Sequence, residues 1–249
     1  MINTLLHKQP MALDRNDHRF MRLRWPIADW TVASKLNAIF IAGVEFGDAA
    51  RDYPAVFVAA GQDEDGKVAV APIAVMGLTK ENNLFVDGTG WRGQYLPAVL
   101  RAYPFAIGRI DEGKFAICFD ASCPALSGSE GESMFNAQGE PTEFMKNIQK
   151  QLENLEGEIQ RTKLLCHLLR DMDLLREMRF DGVLPDGSKI AVDGFLTVDD
   201  TKLNALPDDK VLELHRSGAL GMVHAHYVSL GNMNKLLEWH VKRLQAKAA

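Results

Sequence analysis

The sequence predicts an α+β protein, on three observations: paired apolar runs around Asp-Gly turns, one long amphipathic helix, and a helical C-terminal region. AVFVAA (55–60) and KVAVAPIAVMGL (67–78) flank GQDEDG, where Asp65-Gly66 signals a hairpin. FAIGRI and KFAICFD flank Asp111-Glu112-Gly113 and predict a second hairpin. Together with LFVDG after the polar turn TKENN, these runs predict an antiparallel meander of about five strands, extended by HRFMRLRW near the N-terminus. VEFGDAARDYP reads as a short helix closed by Pro54, which forces extended geometry on Tyr53. PAVLRAY reads as two helical turns opening at Pro97 and ending at Tyr103-Pro104.

Composition changes near residue 140. SGSEGESMFNAQGEPTE (127–143) is polar and glycine-rich, a surface loop or linker. Pro141-Thr142 then opens the longest helix, with Phe144, Ile148, Leu152, Leu155 and Ile159 three or four residues apart. The stripe continues towards Met178, about 35 residues or ~50 Å at ~1.5 Å each. Gly157 marks either a break or a point in a helix that packs across both halves. KIAVDGFLTV returns as a strand after the Asp186-Gly187 turn. TKLNAL follows as a helix capped by Asp200 or Thr201. A further helix starts at Pro207 and stops at Ser217-Gly218, and ALGMVHAHYVSL and NMNKLLEWHVKRLQ complete the helical tail.

The domain reading is a β-rich antiparallel subdomain over 1–140 and a mainly helical one over 141–249 with a returning hairpin at about 180–198. The alternative is one integrated domain, with the meander packed on the long helix. Hydrophobic residues are 47% of the 249, ample for a core without staples. The net charge of −5, with scattered basic residues, argues against nucleic-acid binding, which needs a concentrated cationic face. Cys118, Cys123 and Cys166 do not form a disulfide framework, so a reducing, cytoplasmic setting is expected. No apolar stretch approaches the roughly 18 residues of a membrane span.

His224 and His226 are the candidate metal ligands. On a helix, residues two apart diverge by about 200°, and no HExxH or C-x-x-C accompanies them. The expectation is therefore no metal and no cofactor. Cys118 and Cys123 read as free thiols rather than half a zinc knuckle. Glu45, Asp48 and Asp52 share one helical face, which reads as solvated rather than cation-binding. No nucleophile elbow, P-loop or dinucleotide fingerprint is present. The richest stretch is GWRGQYLPAVLRAYPF (90–105). Trp91, Arg92, Tyr95 and Arg101 form the candidate partner-binding set, because aromatic and guanidinium groups dominate binding hot spots. Packing of Trp91 in the core, and ion pairs from Arg92 and Arg101 to the acidic helix, are the competing readings.

VEFGDAARDYPAVF, VMGLTKENNLFVDGTGWRGQYLPAVLRAYPFAIG and FLTVDDTKLNALPDDKVLELHRSGALGMVHAHYVSLGNMNKLL together resemble the bacterial SapC family over about residues 18–237. The run N-L-F-V-D…G-W…Y-L-P…L-R-x-Y-P-F is its distinctive part. The resemblance implies an association with surface-layer protein genes and export, and with genes for outer-membrane TonB-dependent receptors and flavin-dependent halogenases. It carries no catalytic residue, cofactor or substrate. The peptide-transport permease label given to some members conflicts with the lack of a spanning segment.

The expected function is thus a non-catalytic accessory protein that binds a protein or peptide partner. The alternative is a peptide- or small-molecule-modifying enzyme, metal-dependent through His224 and His226. A homo-oligomer held by the 142–178 helix is the third reading.

Overall fold

The structure, a computed structural model, describes residues 2–111 and 114–248. It is α+β, with antiparallel sheets in the N-terminal half, a long central helix and a helical C-terminal region. The chain forms two compact units that interleave in sequence. The first comprises Met1–Ser34, Val86–Arg92 and Ala98–Gly157, the second Lys35–Phe85, Gly93–Pro97 and Glu158–Ala249.

In the first unit the strands Phe105–Asp111 and Lys114–Asp120 pair antiparallel, Phe105 opposite Phe119 and Ile107 opposite Ile117. Glu112 and Gly113 of the expected turn lie outside the described residues. Pro10–Ala12 adds a third strand along Lys114–Asp120, Pro10 opposite Asp120. Proline is tolerated there because the strand is an edge. Arg22–Leu23, from the run expected to extend a meander, instead lies between Leu126–Ser127 and Glu132–Ser133 in a separate small sheet. Gly131 makes this possible: its φ is +97°, and a Cβ there would run into the Leu23 carbonyl.

The second unit holds a five-stranded antiparallel sheet in the order Leu175–Val183, Lys189–Val198, Ala55–Gln62, Val68–Val75, Ala38–Phe40. Asp65-Gly66 does form the turn between the two middle strands, with Gly66 at φ +73°. The strands expected to run as one meander are therefore shared between sheets. The 55–75 hairpin joins the 175–198 hairpin, which is distant in sequence, and the 105–120 hairpin belongs to the other unit.

Gly43–Glu45 and Phe46–Ala49 form the short helix expected before Pro54. The helices Asp200–Asn204, Asp208–Ser217, Ala219–Ser229 and Asn232–Ala248 follow the sheet. The cap of the first is Asp199, not Asp200 or Thr201. Its carboxylate accepts from the Thr201 and Lys202 amides. Gly218, at φ +84°, ends the second.

The long helix runs Glu143–Asp171, 29 residues, unbroken through Gly157, where its membership passes from the first unit to the second. Thr142 caps it, its Oγ1 accepting from the Met145 amide at 3.3 Å. Met145, Ile148, Leu152, Ile159, Cys166 and Leu169 make its buried stripe. The helix ends short of the expected Met178. Asp173 turns the chain at φ +53°, the Leu174 amide closes on the Leu169 carbonyl at 3.0 Å, and the next strand begins at Leu175.

Candidate functional site

Trp91 ends a small hairpin of the first unit, where Val86–Asp87 pairs with Gly90–Trp91. Gly88 supplies the positive φ (+58°) of its turn. The Trp30 amide donates to the Thr89 carbonyl at 2.8 Å, fixing the hairpin on the 3-10 turn Trp30–Ala33. The indoles of Trp30 and Trp91 then meet edge to face, centroids 5.6 Å apart at 62°. Trp30 is buried and Trp91 half-buried. Arg92 donates from Nη2 to the Asp87 carboxylate at 2.7 Å, one strand back on the same hairpin.

Arg101 is exposed on the helix Ala98–Ala102, also in the first unit. Tyr95 belongs to the second unit and is strapped down there. Its amide donates to Asp52 at 2.8 Å, its hydroxyl to Glu45 at 2.8 Å, and its carbonyl accepts from the Tyr53 hydroxyl. The candidate set therefore divides: Trp91 and Arg92 form one feature with Trp30 and Asp87, and Tyr95 serves as an anchor for the acidic helix.

That anchoring also explains the three acids. Buried Glu45 accepts from the Ala42 amide at 2.7 Å as well as from Tyr95, Asp52 takes the Tyr95 amide, and Asp48 pairs with Arg51 at 2.6 Å. Glu45 and Asp52 thus share Tyr95, and Asp48 holds Arg51, so each carboxylate is engaged by donors of the fold itself.

His224 and His226 diverge on the helix Ala219–Ser229: His224 is exposed, His226 fully buried. His226 Nδ1 lies 2.6 Å from the Ala55 carbonyl and must donate to it. Nε2 then accepts from the Val198 amide (3.3 Å) and the Thr197 hydroxyl (2.8 Å). This is one neutral tautomer with both nitrogens committed, which leaves no lone pair for a metal. Burial holds its pKa below the ordinary value. Among the described residues, no three His, Cys, Asp or Glu side chains group as a metal site.

Sequence reasoning passed over the segment Arg24–Val32, although it holds Trp30 and lines a depression in the first unit with Tyr103, Cys123 and Pro124. Tyr103 is buried, and its hydroxyl donates to the buried Asp120 at 2.9 Å. Burial, with Cys123 and the Asp120 carboxylate beside it, pushes the phenol far up. Burial also pushes the Cys123 thiol up, so it is not a ready nucleophile. Burial opposes the Asp120 charge, but the Gln9 amide, Ser122 and the Tyr103 hydroxyl together hold that carboxyl below its ordinary range. The available signal was Asp29 two residues before Thr31, a capping pattern that fixes the segment's turn.

No helix among the described residues is long and apolar enough to cross a membrane. No curated protein and no solved structure matches the chain. A family model described as SapC matches residues 13–236, nine-tenths of the sequence and both compact units. The chain belongs to the SapC family.

Proposed function

We propose that this SapC family member is a non-catalytic accessory protein that recognises a protein or peptide partner connected with surface-protein export or outer-membrane uptake. The observation that carries the reading is the Trp91–Arg92 hairpin. Trp30 backs the half-buried indole, and Asp87 holds the guanidinium. A rigid indole beside an oriented guanidinium loses little side-chain entropy on binding, the combination that concentrates interface energy. Arg101 stands as an accessory contact. A cytoplasmic location is part of the proposal and is supported by three free, buried cysteines.

The test is site-specific photo-crosslinking in the native cell, with the photoreactive residue at the exposed Thr89 of the hairpin turn and, as control, at the exposed Glu153 of the long helix. Position 89 is expected to capture a defined protein or peptide that position 153 does not, and Trp91→Ala with the same reporter at 89 is expected to lose it. Identical adducts from both positions, or capture unaffected by Trp91→Ala in a folded variant, defeat the assignment.

A further inference from the structure

The depression beside Tyr103 occupies about 340 Å³ and lies wholly within the first unit. Its lining is mostly apolar, with Ile27, Val32 and Pro124 beside the buried Tyr103 ring and Cys123 thiol. Two charged side chains of opposite sign border it, Arg24 and Asp29. Arg24 donates from Nη2 to the Pro124 carbonyl at 2.8 Å and stands 3.9 Å from the Glu130 carboxylate. A guanidinium has five N–H donors, so most remain for a ligand. Asp29 Oδ1 accepts from both the Thr31 amide (2.9 Å) and hydroxyl (2.6 Å), leaving Oδ2 to accept from a ligand. Those Thr31 bonds hold the carboxyl below its ordinary range, so it is charged at neutral pH. Both side chains are therefore oriented by protein contacts before any ligand arrives.

We propose that this depression binds a small zwitterion with an apolar body, an apolar amino acid or short apolar peptide, its carboxylate on Arg24 and its ammonium on Asp29. The volume sets the size. Small-molecule sites run from roughly 300 to 1,000 Å³, so this one takes one or two residues and no more. Opposite charges at one apolar mouth favour a zwitterion over simple fatty acids and simple amines, because each of those answers only one of the two charges. None of the residues invoked belongs to the Trp91–Arg92 hairpin, so this site stands or falls apart from the partner-binding reading.

The test uses the full chain and four probes: L-leucine, the dipeptide Leu-Leu, 4-methylpentanoate (no ammonium) and isopentylamine (no carboxylate). Calorimetry gives affinity. Backbone hydrogen exchange of the 26–32 and 123–126 segments, read by peptide mass spectrometry, reports occupancy of the site itself, with peptides of the second unit as internal controls. Leucine or Leu-Leu is expected to bind and to slow exchange in those two segments several-fold. Whichever of the two binds tells whether the source is a free amino acid or a peptide. The two truncated probes are expected to bind at least tenfold more weakly. Arg24→Gln should bring leucine down to the level of isopentylamine, and Asp29→Asn, which keeps the capping acceptor, to that of 4-methylpentanoate. Failure of both zwitterions to bind at millimolar concentration overturns the proposal. So does equal binding of the truncated probes to the unsubstituted protein, a comparison that needs no variant to fold. Binding without slower exchange in the 26–32 and 123–126 segments overturns the location.

Discussion

Lowering the pH from 7.5 to 5.5 should weaken the second unit through a single side chain, His226. Its ring is fully buried, and Nε2 faces the Val198 amide as an acceptor. A proton added there would set N–H against N–H and strand a charge in the core. Burial accordingly keeps the folded pKa below the unfolded value of 6.5. The unfolded chain therefore takes up the proton first. The stabilisation is complete above pH 6.5 and drains away as pH falls below it, until the folded pKa is reached. Each tenfold rise in proton concentration is worth about 1.4 kcal/mol at most. Integrating from pH 7.5 to 5.5 around 6.5 gives a loss of up to about 1.4 kcal/mol.

The assay is urea unfolding at pH 7.5, 6.5 and 5.5, followed through Trp239, which packs edge to face on Phe85 within that unit. His226→Gln retains an amide donor and acceptor but does not titrate. It should be less stable at pH 7.5 by about 1–3 kcal/mol, yet lack the histidine's share of the pH slope. If wild type and variant lose stability in parallel between pH 7.5 and 5.5, the proposed tautomer and its burial are wrong.

Other outcomes follow from the same geometry. His7 in the first unit is also buried, and burial likewise lowers its pKa, so His7→Gln should flatten the acid-side slope of that unit's unfolding, read by exchange of its amides. Tyr103→Phe removes a hydroxyl donor from buried Asp120 and should cost about 1.5–3 kcal/mol in urea unfolding without changing secondary structure. Gly77→Ala would drive a methyl into the Asn82 carbonyl and should cost about 3 kcal/mol or more, whereas Gly157→Ala, with open space around it in the long helix, should stabilise by about 0.5–1 kcal/mol. Arg170 bonds both Asp63 (2.5 Å) and the Val68 carbonyl (3.0 Å), so Arg170→Ala should speed hydrogen exchange at Gly66 and Lys67 in the 62–68 turn.

Local signals in the sequence translated well into local structure. Asp65-Gly66, Gly218, Pro207 and the apolar stripe from Ile148 to Leu169 each act through neighbours within a few residues. What escaped was pairing over distance. Leu196 sits opposite Phe57 and Ala12 opposite Cys118, and nothing in either segment names its partner. The long helix was overextended because Leu165, Leu169 and Met172 keep helical spacing up to a turn made by Asp173. An Asp with positive φ lacks the signature a glycine would have given. The interleaving of the units leaves no composition mark, since Lys35–Phe85 resembles its flanks. Trp91 and Arg92 were conspicuous by residue type. The depression at Arg24 and Asp29 was not, because its two sides lie about a hundred residues apart and each looks like an ordinary turn.

Ala55, the first residue of a central strand, takes its outer bonds from a helix more than 170 residues further on: its amide donates to Ser229 Oγ, and its carbonyl accepts from His226. During synthesis, that strand and its hairpin partner emerge long before the residues that complete them. The second unit cannot close until the 219–229 segment has left the ribosome, and until then the sheet face carrying Phe57, whose ring meets that of His226, waits without its cover. A chain stalled with this hairpin already outside the ribosome and the 219–229 segment not yet made should therefore be bound by holdase chaperones and cut by proteases at this hairpin.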